Sequence, residues 1–373
     1  MTAFPSGVLS HVLQPQPEHR GYSLSMADAN GRVRQRYEAI FAELEQRTLS
    51  YRTRVVDALN ARKLPHYVES RTKPVDSFLR KSQEPPFAGR DALAEMHDVC
   101  GLRIIVASLS DVEVAEEIVA REFTCDPQKS TLKGAEFESY QFGYRARHLI
   151  CSDSELEATL TPEGVFPQVE IQIRSLCENA WALVDRLVRY KTSLELSPGV
   201  ERRIFSLAAV LEVCDSEIEG ILSEWRSTLK SAREAFEIDP STELSIETFA
   251  AYVDSSSVID SLASSIQANG VRVGSMSHLS RDIRILRAVG VTSVGQLGNL
   301  VGSVEGTSPM FFEAMFRELR DLGVAISSIE RNAIATLIAI AVNHTQFTDE
   351  RLRNEFAYGL GWAALGVAGH LAS

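Results

Sequence analysis

Apolar residues in the first half of the chain predict several strands. Residues 102–106 are rich in Ile and Val and are bounded by polar residues, which is typical of a buried strand. Residues 165–174 alternate with period two, and from Val169 on the apolar side chains face one side of a sheet. Residues 149–151 predict a further strand. The opposite face of the second segment would carry Glu170, Gln172 and Arg174.

Helical spacing precedes and separates these strands. Residues 32–62 carry apolar positions at helical intervals, which predicts one long amphipathic helix, or two with a break near Ser50. Residues 111–122 predict another helix, and residues 1–29, with little periodicity, predict a flexible arm. A last helix is expected over 175–190.

The helix over 175–190 also has a predicted start. Ser175 is suited to the N-cap, and Glu178 three residues later completes a capping box. The order helix, strand, helix, strand, strand, helix predicts a mixed α/β domain over residues 30–197.

The remainder of the chain has a helical pattern. A long amphipathic helix is predicted over 198–238, and an all-α C-terminal domain over 239–373. Leu286 to Leu297 resembles a helical hairpin of some DNA-binding and protein-binding modules, although a plain packed helix pair is the favoured interpretation. We expect this domain to regulate the first, to tether it or to recognise a protein partner.

Composition restricts the classes of function. The chain has 373 residues, 45% hydrophobic and 24% charged, as in globular proteins. A net charge of −12 argues against broad nonspecific binding to nucleic acid, while a local basic patch stays possible. The five cysteines are far apart in sequence and fit reduced thiols in a cytoplasm. The apolar run 333–342 is too short to span a bilayer, so no membrane association is expected.

Candidate chemistry begins with Asp98 and Arg103. Asp98 lies just ahead of the strand at 102–106, where a carboxylate at the rim of a sheet can hold a metal ion. Arg103 adds a permanent cation suited to phosphate. Glu170 would bring a second carboxylate on the polar face of its strand. The alternative for each strand taken alone is an ordinary solvated face.

Two further segments are basic. Residues 71–81 hold four cations, and Ser77 and Lys81 share one helical face, which suits a polyphosphate or a solvated helix start. Residues 143–148 bring together Tyr144, two arginines and His148, which suits a nucleobase with its phosphates. The alternatives are a core aromatic for Tyr144 and a hydrogen-bonded histidine at a strand start for His148.

Taken in order, these motifs resemble the synthetase domain of RelA/SpoT-type alarmone synthetases, close to the small members of that family. The resemblance covers roughly residues 35–195. It implies a nucleotidyltransferase-like α/β fold, with a mixed sheet flanked by helices, and transfer of pyrophosphate from ATP to the 3′-hydroxyl of GDP or GTP. The motifs are Arg71-x-Lys73, Ser77, Lys81, Asp98-Val-Cys-Gly-Leu-Arg103, Gly143-Tyr144-Arg145-x-x-His148 and Glu170-Ile-Gln172-Ile-Arg174.

The resemblance also implies residue roles. Asp98 would be the principal Mg²⁺ ligand, and Glu170 would help to bind the metal or would activate the attacking hydroxyl. The expected ATP-binding residues are Arg71, Lys73, Ser77, Lys81 and Arg103. The expected acceptor-binding residues are Tyr144, Arg145, Arg147, His148 and Gln172.

One departure from the family concerns the acceptor. Many members carry lysines before the Gly-Tyr motif that grip the acceptor's phosphates, and residues 137–142 here have none. Some toxic small synthetases lacking that grip pyrophosphorylate the 3′ end of tRNA, so tRNA is an alternative acceptor. A noncatalytic nucleotide sensor of the same fold is a second alternative. For a free nucleotide, the available replacements are Lys129, Lys133, Arg145 and Arg147.

Overall fold

A computed structural model of the protein describes residues 20–133, 146–153, 168–189, 197–303, 308–321 and 326–343. The chain divides into two units, Met1–Gly220 and Ile221–Ser373. The candidate chemistry lies in the first of them.

A six-stranded mixed sheet forms the centre of the first unit, in the strand order β1-β2-β6-β5-β3, with β4 paired to β5. Strands β2 and β6 are parallel, and the other pairs are antiparallel. The mixed α/β class predicted from the sequence is therefore confirmed. The strands are β1 (His66–Thr72), β2 (Cys100–Val106), β3 (Thr124–Cys125), β4 (Thr131–Lys133), β5 (Ala146–Ser152) and β6 (Val169–Ser175).

Helices cover the apolar face of this sheet. The long helix α1 (Arg20–Ala61) is continuous through Ser50 and begins earlier than the predicted start at Arg32. The short helices α2 (Val75–Ser82) and α3 (Ala92–Glu95) follow it in the chain. Together with α4 (Leu109–Glu122), α1 contacts strands β1, β2 and β6. Each fully buried large apolar side chain contributes on the order of 1.5–3 kcal/mol to folding. On α1 such side chains are Tyr37, Ile40, Leu44, Tyr51, Val55 and Leu59.

Strand β1 was not predicted, because the sequence from His66 to Thr72 is almost entirely polar. Val68 is its one apolar residue on the core side, whereas Tyr67 is 62% exposed. The strand lies at the edge of the sheet and pairs only with β2 among the described strands. An edge strand with one wet face leaves a weak hydrophobic signal.

The predicted capping box at Ser175 is confirmed. The backbone N–H of Ser175 donates to Glu178 Oε2 at 2.9 Å, and the N–H of Glu178 donates to Ser175 Oγ at 3.0 Å. Helix α5 (Leu176–Arg189) starts there. The Ser175 hydroxyl also donates to Asp215 Oδ2 at 2.8 Å, on the predicted long helix α6 (Pro198–Ile238).

Helix α6 packs on α5 through a small apolar cluster in which Trp181 meets Ile204 and Ala208. Glu219 accepts a hydrogen bond from the N–H of Ser110 at 2.9 Å. The contacts of the first unit thus continue along α6 well beyond residue 197.

The expectation that all five thiols are reduced differs from the structure. Cys125 and Cys151 form a disulfide, although 26 residues separate them in sequence. They are register partners on β3 and β5, and the antiparallel pairing brings them together. The long separation of the two cysteines in sequence therefore did not exclude a disulfide, because the pairing of β3 with β5 brings them together. The free cysteines are Cys100, Cys177 and Cys214.

The second unit is helical around its own apolar core, as predicted, with one addition. A two-stranded parallel sheet joins β7 (Arg272–Gly274) to β8 (Ser328–Glu330), so the expected all-α class needs that correction. Leu286 and Leu297 are fully buried in the same apolar core, on two successive helices joined by a turn at Gly290. The helices are α7 (Ile246–Ser255), α8 (Ser257–Ala268), α9 (Leu279–Ala288), α10 (Val294–Ser303), α11 (Ser308–Asp321) and α12 (Ala333–Val342).

Within the ranges that the structure describes, no helix is both long enough and apolar enough to cross a membrane. The regulatory or partner-binding role of the second unit and the cytoplasmic location stay predictions.

Candidate active site

Two lysines converge on one carboxylate oxygen at the end of the sheet where β2 begins. Thr72 pairs with Cys100 across β1 and β2, so Lys73 and Asp98 leave the two strands side by side. Lys73 Nζ lies 2.7 Å from Asp98 Oδ2. Lys81 reaches the same oxygen at 2.8 Å from helix α2 (Val75–Ser82). Ser77 lies one turn earlier on the same face of α2 as Lys81.

Helix α1 fixes the position of Lys73. The Tyr37 hydroxyl donates to the carbonyl oxygen of Lys73 at 2.6 Å, and the Tyr37 ring stacks on Phe78 with centroids 4.0 Å apart. The Lys73 side chain is only 6% exposed. A buried ammonium is costly unless it is paired, and Asp98 supplies the pair.

Asp98 is held in its ionised form. Burial raises its pKa, but the hydrogen bonds and charges of Lys73 and Lys81 outweigh burial and leave the pKa below its usual range. Both lysines use Oδ2, whereas Oδ1 is buried and has no hydrogen-bond partner among the described residues. One carboxylate oxygen therefore remains available.

A row of polar side chains runs across four strands on the face opposite the core. Glu69 pairs in register with Arg103, Arg103 with Gln172, and Gln172 with His148. Arg103 donates to Glu69 Oε2 at 2.7 Å. Because successive side chains alternate between faces, Glu170 shares this polar face with Gln172.

Glu170 accepts two side-chain hydrogen bonds. His148 Nδ1 lies 2.8 Å from Glu170 Oε1, and Gln172 Nε2 donates to Oε2 at 3.2 Å. Burial raises the pKa of Glu170, but His148 and Gln172 more than offset burial, so the pKa is lowered. Glu170 is thus a second ionised carboxylate.

A cavity of about 520 Å³ opens on this polar face and joins the two carboxylates. Gly101 forms part of its floor between Arg71 and Glu170, because it is the register partner of both. The cavity is lined by Tyr67, Glu69, Ser70, Arg71, Asp98, Gly101, Leu102, Arg103, Glu170, Gln172 and Arg186.

The structure brings most of the predicted site residues together. Asp98, Glu170, Arg71, Arg103 and Gln172 line the cavity. Lys73 and Lys81 contact Asp98, Ser77 shares a helix face with Lys81, and His148 contacts Glu170. Tyr144 and Arg145 lie outside the described residues.

Arg147 is not brought to the cavity. Alternation along β5 turns it to the face opposite His148, where its guanidinium pairs with Glu116 and Glu113 of α4. Lys129 Nζ contacts Gln168 Oε1 at 3.2 Å, beside the start of β6. The prediction that Arg147 binds the acceptor is therefore corrected. Neighbouring residues of a strand point to opposite faces, and the prediction had placed Arg147 and His148 together because they are adjacent in sequence.

Comparison with known proteins adds a family to this geometry. Residues 70–195 match the family model described as "Region found in RelA / SpoT proteins". This segment is a RelA/SpoT-type domain. The match spans β1 to α5 and includes both carboxylates of the cavity, in agreement with the resemblance found in the sequence.

Two relatives come from Bacillus subtilis and are GTP pyrophosphokinases by name. YjbM is 29% identical over 172 residues, which are 46% of this chain and 76% of the relative. YwaC is 24% identical over 165 residues, which are 42% of this chain and 74% of the relative. The solved structure of small alarmone synthetase 1 from Bacillus subtilis is 25% identical and has a TM-score of 0.44, covering 52% of this chain and 98% of that one.

Two charged residues that line the cavity were missed at the sequence level, Glu69 and Arg186. Glu69 lies on the unpredicted edge strand β1, two residues before Arg71. Arg186 lies on α5, separated from Trp181 by five positions and thus on another side of that helix. The position of Arg186 outside the apolar face of α5 was the one sequence feature that could have indicated a role at the cavity.

The donor set of the RelA/SpoT domain fits a divalent cation that takes oxygen ligands. Asp98 and Glu170 line one cavity, and Asp98 Oδ1 is buried with no partner in the described part of the chain. No cluster of three or more His, Cys, Asp or Glu residues occurs there. A cation that keeps several waters and binds substrate phosphates needs only one or two carboxylates.

Proposed function

We propose that the RelA/SpoT domain transfers the terminal pyrophosphate of ATP to the 3′-hydroxyl of GDP or GTP. The observation that carries this proposal is the pair of ionised carboxylates, Asp98 and Glu170, on one cavity that also holds Arg71 and Arg103. The names of the two Bacillus subtilis relatives support the same reaction.

Donor binding would use the β1–α2 side of the cavity. Arg71, Lys73 and Lys81 bring three cations to that side, with Ser77 as a hydroxyl donor. Arg103, oriented by Glu69, would neutralise charge on the transferred phosphates. Preorganised cations aimed at phosphate oxygens are the main means by which a protein stabilises phosphoryl-transfer transition states.

The transfer forms one bond and breaks another. The acceptor's 3′-oxygen bonds to the β-phosphorus of ATP, the bond from that phosphorus to the α-phosphate oxygen breaks, and AMP leaves. The proton of the 3′-hydroxyl passes to Glu170, which is ionised and oriented by His148. Bulk water then takes that proton.

Asp98 would be the principal Mg²⁺ ligand, with its Oδ1 as the open position. The ion would supply positive charge against the phosphate oxygens. Lys73 and Lys81 bring two positive charges against the single negative charge of Asp98, so one net positive charge remains at this end of the sheet for the phosphates of the nucleotide.

The test is transfer from γ-labelled ATP to separate acceptors, namely GDP, GTP, ATP and deacylated tRNA, with Mg²⁺ present. We expect label on GDP or GTP, and none with the Asp98→Asn variant. Label on tRNA alone would favour the tRNA alternative. Binding of ATP without transfer to any acceptor would favour the noncatalytic sensor.

A further inference from the structure

Arg186 brings a third arginine into the cavity. It lies on α5, which follows β6 directly and contacts both β6 and β2. Its side chain is exposed and lines the same cavity as Glu170 and Gln172. It was not among the residues that the family resemblance suggested.

Within the described ranges, the other charged side chains around the cavity have partners or a proposed role, whereas Arg186 has neither. Arg103 is paired with Glu69, and Asp98 with Lys73 and Lys81. Arg71 belongs to the β1–α2 side, where the donor cations are grouped. Among the residues that the structure describes, no hydrogen bond or ion pair engages Arg186.

On the β6 side of the cavity, Gln172 already accepts a hydrogen bond at 2.5 Å from another cation, Arg174, whose side chain is buried and does not line the cavity. Glu170, Gln172 and His148 line or border it, and Arg147 faces α4 on the other side of the sheet. An acceptor that carries two or three 5′-phosphates needs an accessible cation there, and Arg186 is exposed whereas Arg174 is buried. A guanidinium offers a planar fork of N–H donors that matches phosphate oxygens.

We propose that Arg186 binds the 5′-phosphates of the acceptor and sets the preference for nucleoside di- and triphosphates over monophosphates. This inference rests on the proposed pyrophosphate transfer and adds a residue to its acceptor side. Its location on α5 makes it independent of the segment before the Gly-Tyr motif that lacks lysine.

The test compares Arg186→Gln with the wild-type chain in steady-state transfer to GMP, GDP and GTP at saturating ATP. We expect the apparent KM for GDP and GTP to rise about 10-fold to 100-fold, the usual effect of losing a charged hydrogen bond. GMP should lose least, and the KM for ATP should stay unchanged. Arg186→Lys should recover part of the loss, because it restores charge without the planar fork.

Arg203→Gln is the matched control, because Arg203 is an exposed arginine of α6 that does not line the cavity. It should leave all four KM values unchanged, and neither variant should lower the midpoint of thermal unfolding. Equal losses for GMP, GDP and GTP, or a raised KM for ATP, would overturn the role of Arg186. If the wild-type chain labels no nucleotide at all, the proposed function fails instead, so the two failures are distinguishable.

Discussion

Lys73 Nζ and Asp98 Oδ2 lie 2.7 Å apart, although the two residues stand at the end of one strand and ahead of another. The antiparallel register of β1 and β2 makes them neighbours, and the Lys73 N–H donates to the Val99 carbonyl at 2.8 Å. The pair is largely buried on the lysine side. The candidate metal ligand and a candidate donor-binding cation are therefore one structural unit.

Replacing Asp98 by Asn should abolish transfer while the protein still folds. The substitution keeps the volume but removes the negative charge that pairs with Lys73 and Lys81. We expect a fall in kcat of at least about 100-fold, as for loss of one electrostatic stabiliser. Thermal unfolding should also begin earlier, because a buried Lys73 without its partner is destabilising. Rapid-quench assays and calorimetry of the same preparation test both effects, and normal turnover would refute the site.

The pH dependence should report on Glu170. Its pKa is lowered, so Glu170 stays ionised until the pH falls below the usual glutamate range, and activity should be lost only there. In His148→Ala the main group that lowers this pKa is gone, and burial raises it. The acid limb of the kcat profile should then move to higher pH.

Gln172→Ala provides the comparison for that shift. Gln172 also lowers the pKa of Glu170, but less than His148 does. The acid limb should therefore move in the same direction by a smaller amount. An acid limb that stays in place in both variants would mean that Glu170 is not the titrating base.

Gly101 offers a purely steric probe of the cavity. A Cβ there would meet its nearest neighbour, the Arg71 carbonyl oxygen, at 3.5 Å, which is ordinary contact. Gly101→Ala should therefore fold and retain much of its activity, whereas Gly101→Val should fold but fill the floor between Arg71 and Glu170. Loss of ATP binding in the valine variant alone, measured by calorimetry, is the expected result. Equal binding in both would place the nucleotide elsewhere.

The boundary of the catalytic unit can be tested with two fragments. A fragment 1–220 keeps Ile204 and Ala208 against Trp181, and Asp215 on Ser175. A fragment 1–197 loses these contacts and exposes the Trp181 side chain. We expect it to be less stable by at least about 2 kcal/mol, the value of one large buried apolar side chain. Urea unfolding followed by tryptophan fluorescence measures the difference, and equal midpoints would contradict it.

How far the sequence predicts this molecule depends on the element. The buried strand at 102–106 and the capping box of Ser175 were predictable, because each is specified by local residue types. Strand β1 was not, because its place at the sheet edge makes its polar sequence acceptable. Arg147 was grouped with His148 because the two residues are adjacent in sequence, although adjacent residues of a strand point to opposite faces of the sheet.

Residues that reach the cavity only through tertiary packing could not be predicted from the sequence either. Arg186 reaches the cavity only because α5 folds back over β2 and β6, and no local pattern encodes that path. The pairing of Cys125 with Cys151 has the same origin in strand register. The motifs predicted the two carboxylates, and packing supplied their neighbours.

The parallel pairing of β2 and β6 has a consequence for refolding. Gly101 pairs with Glu170, although α4, β3, β4 and β5 lie between the two strands in sequence. Contacts of such long sequence separation carry a large loop-closure entropy and form late. During refolding from denaturant, the circular-dichroism signal of the helices should therefore return before the capacity to bind ATP. The cavity is lined by residues of both β2 and β6, so ATP can bind only after these two strands have paired.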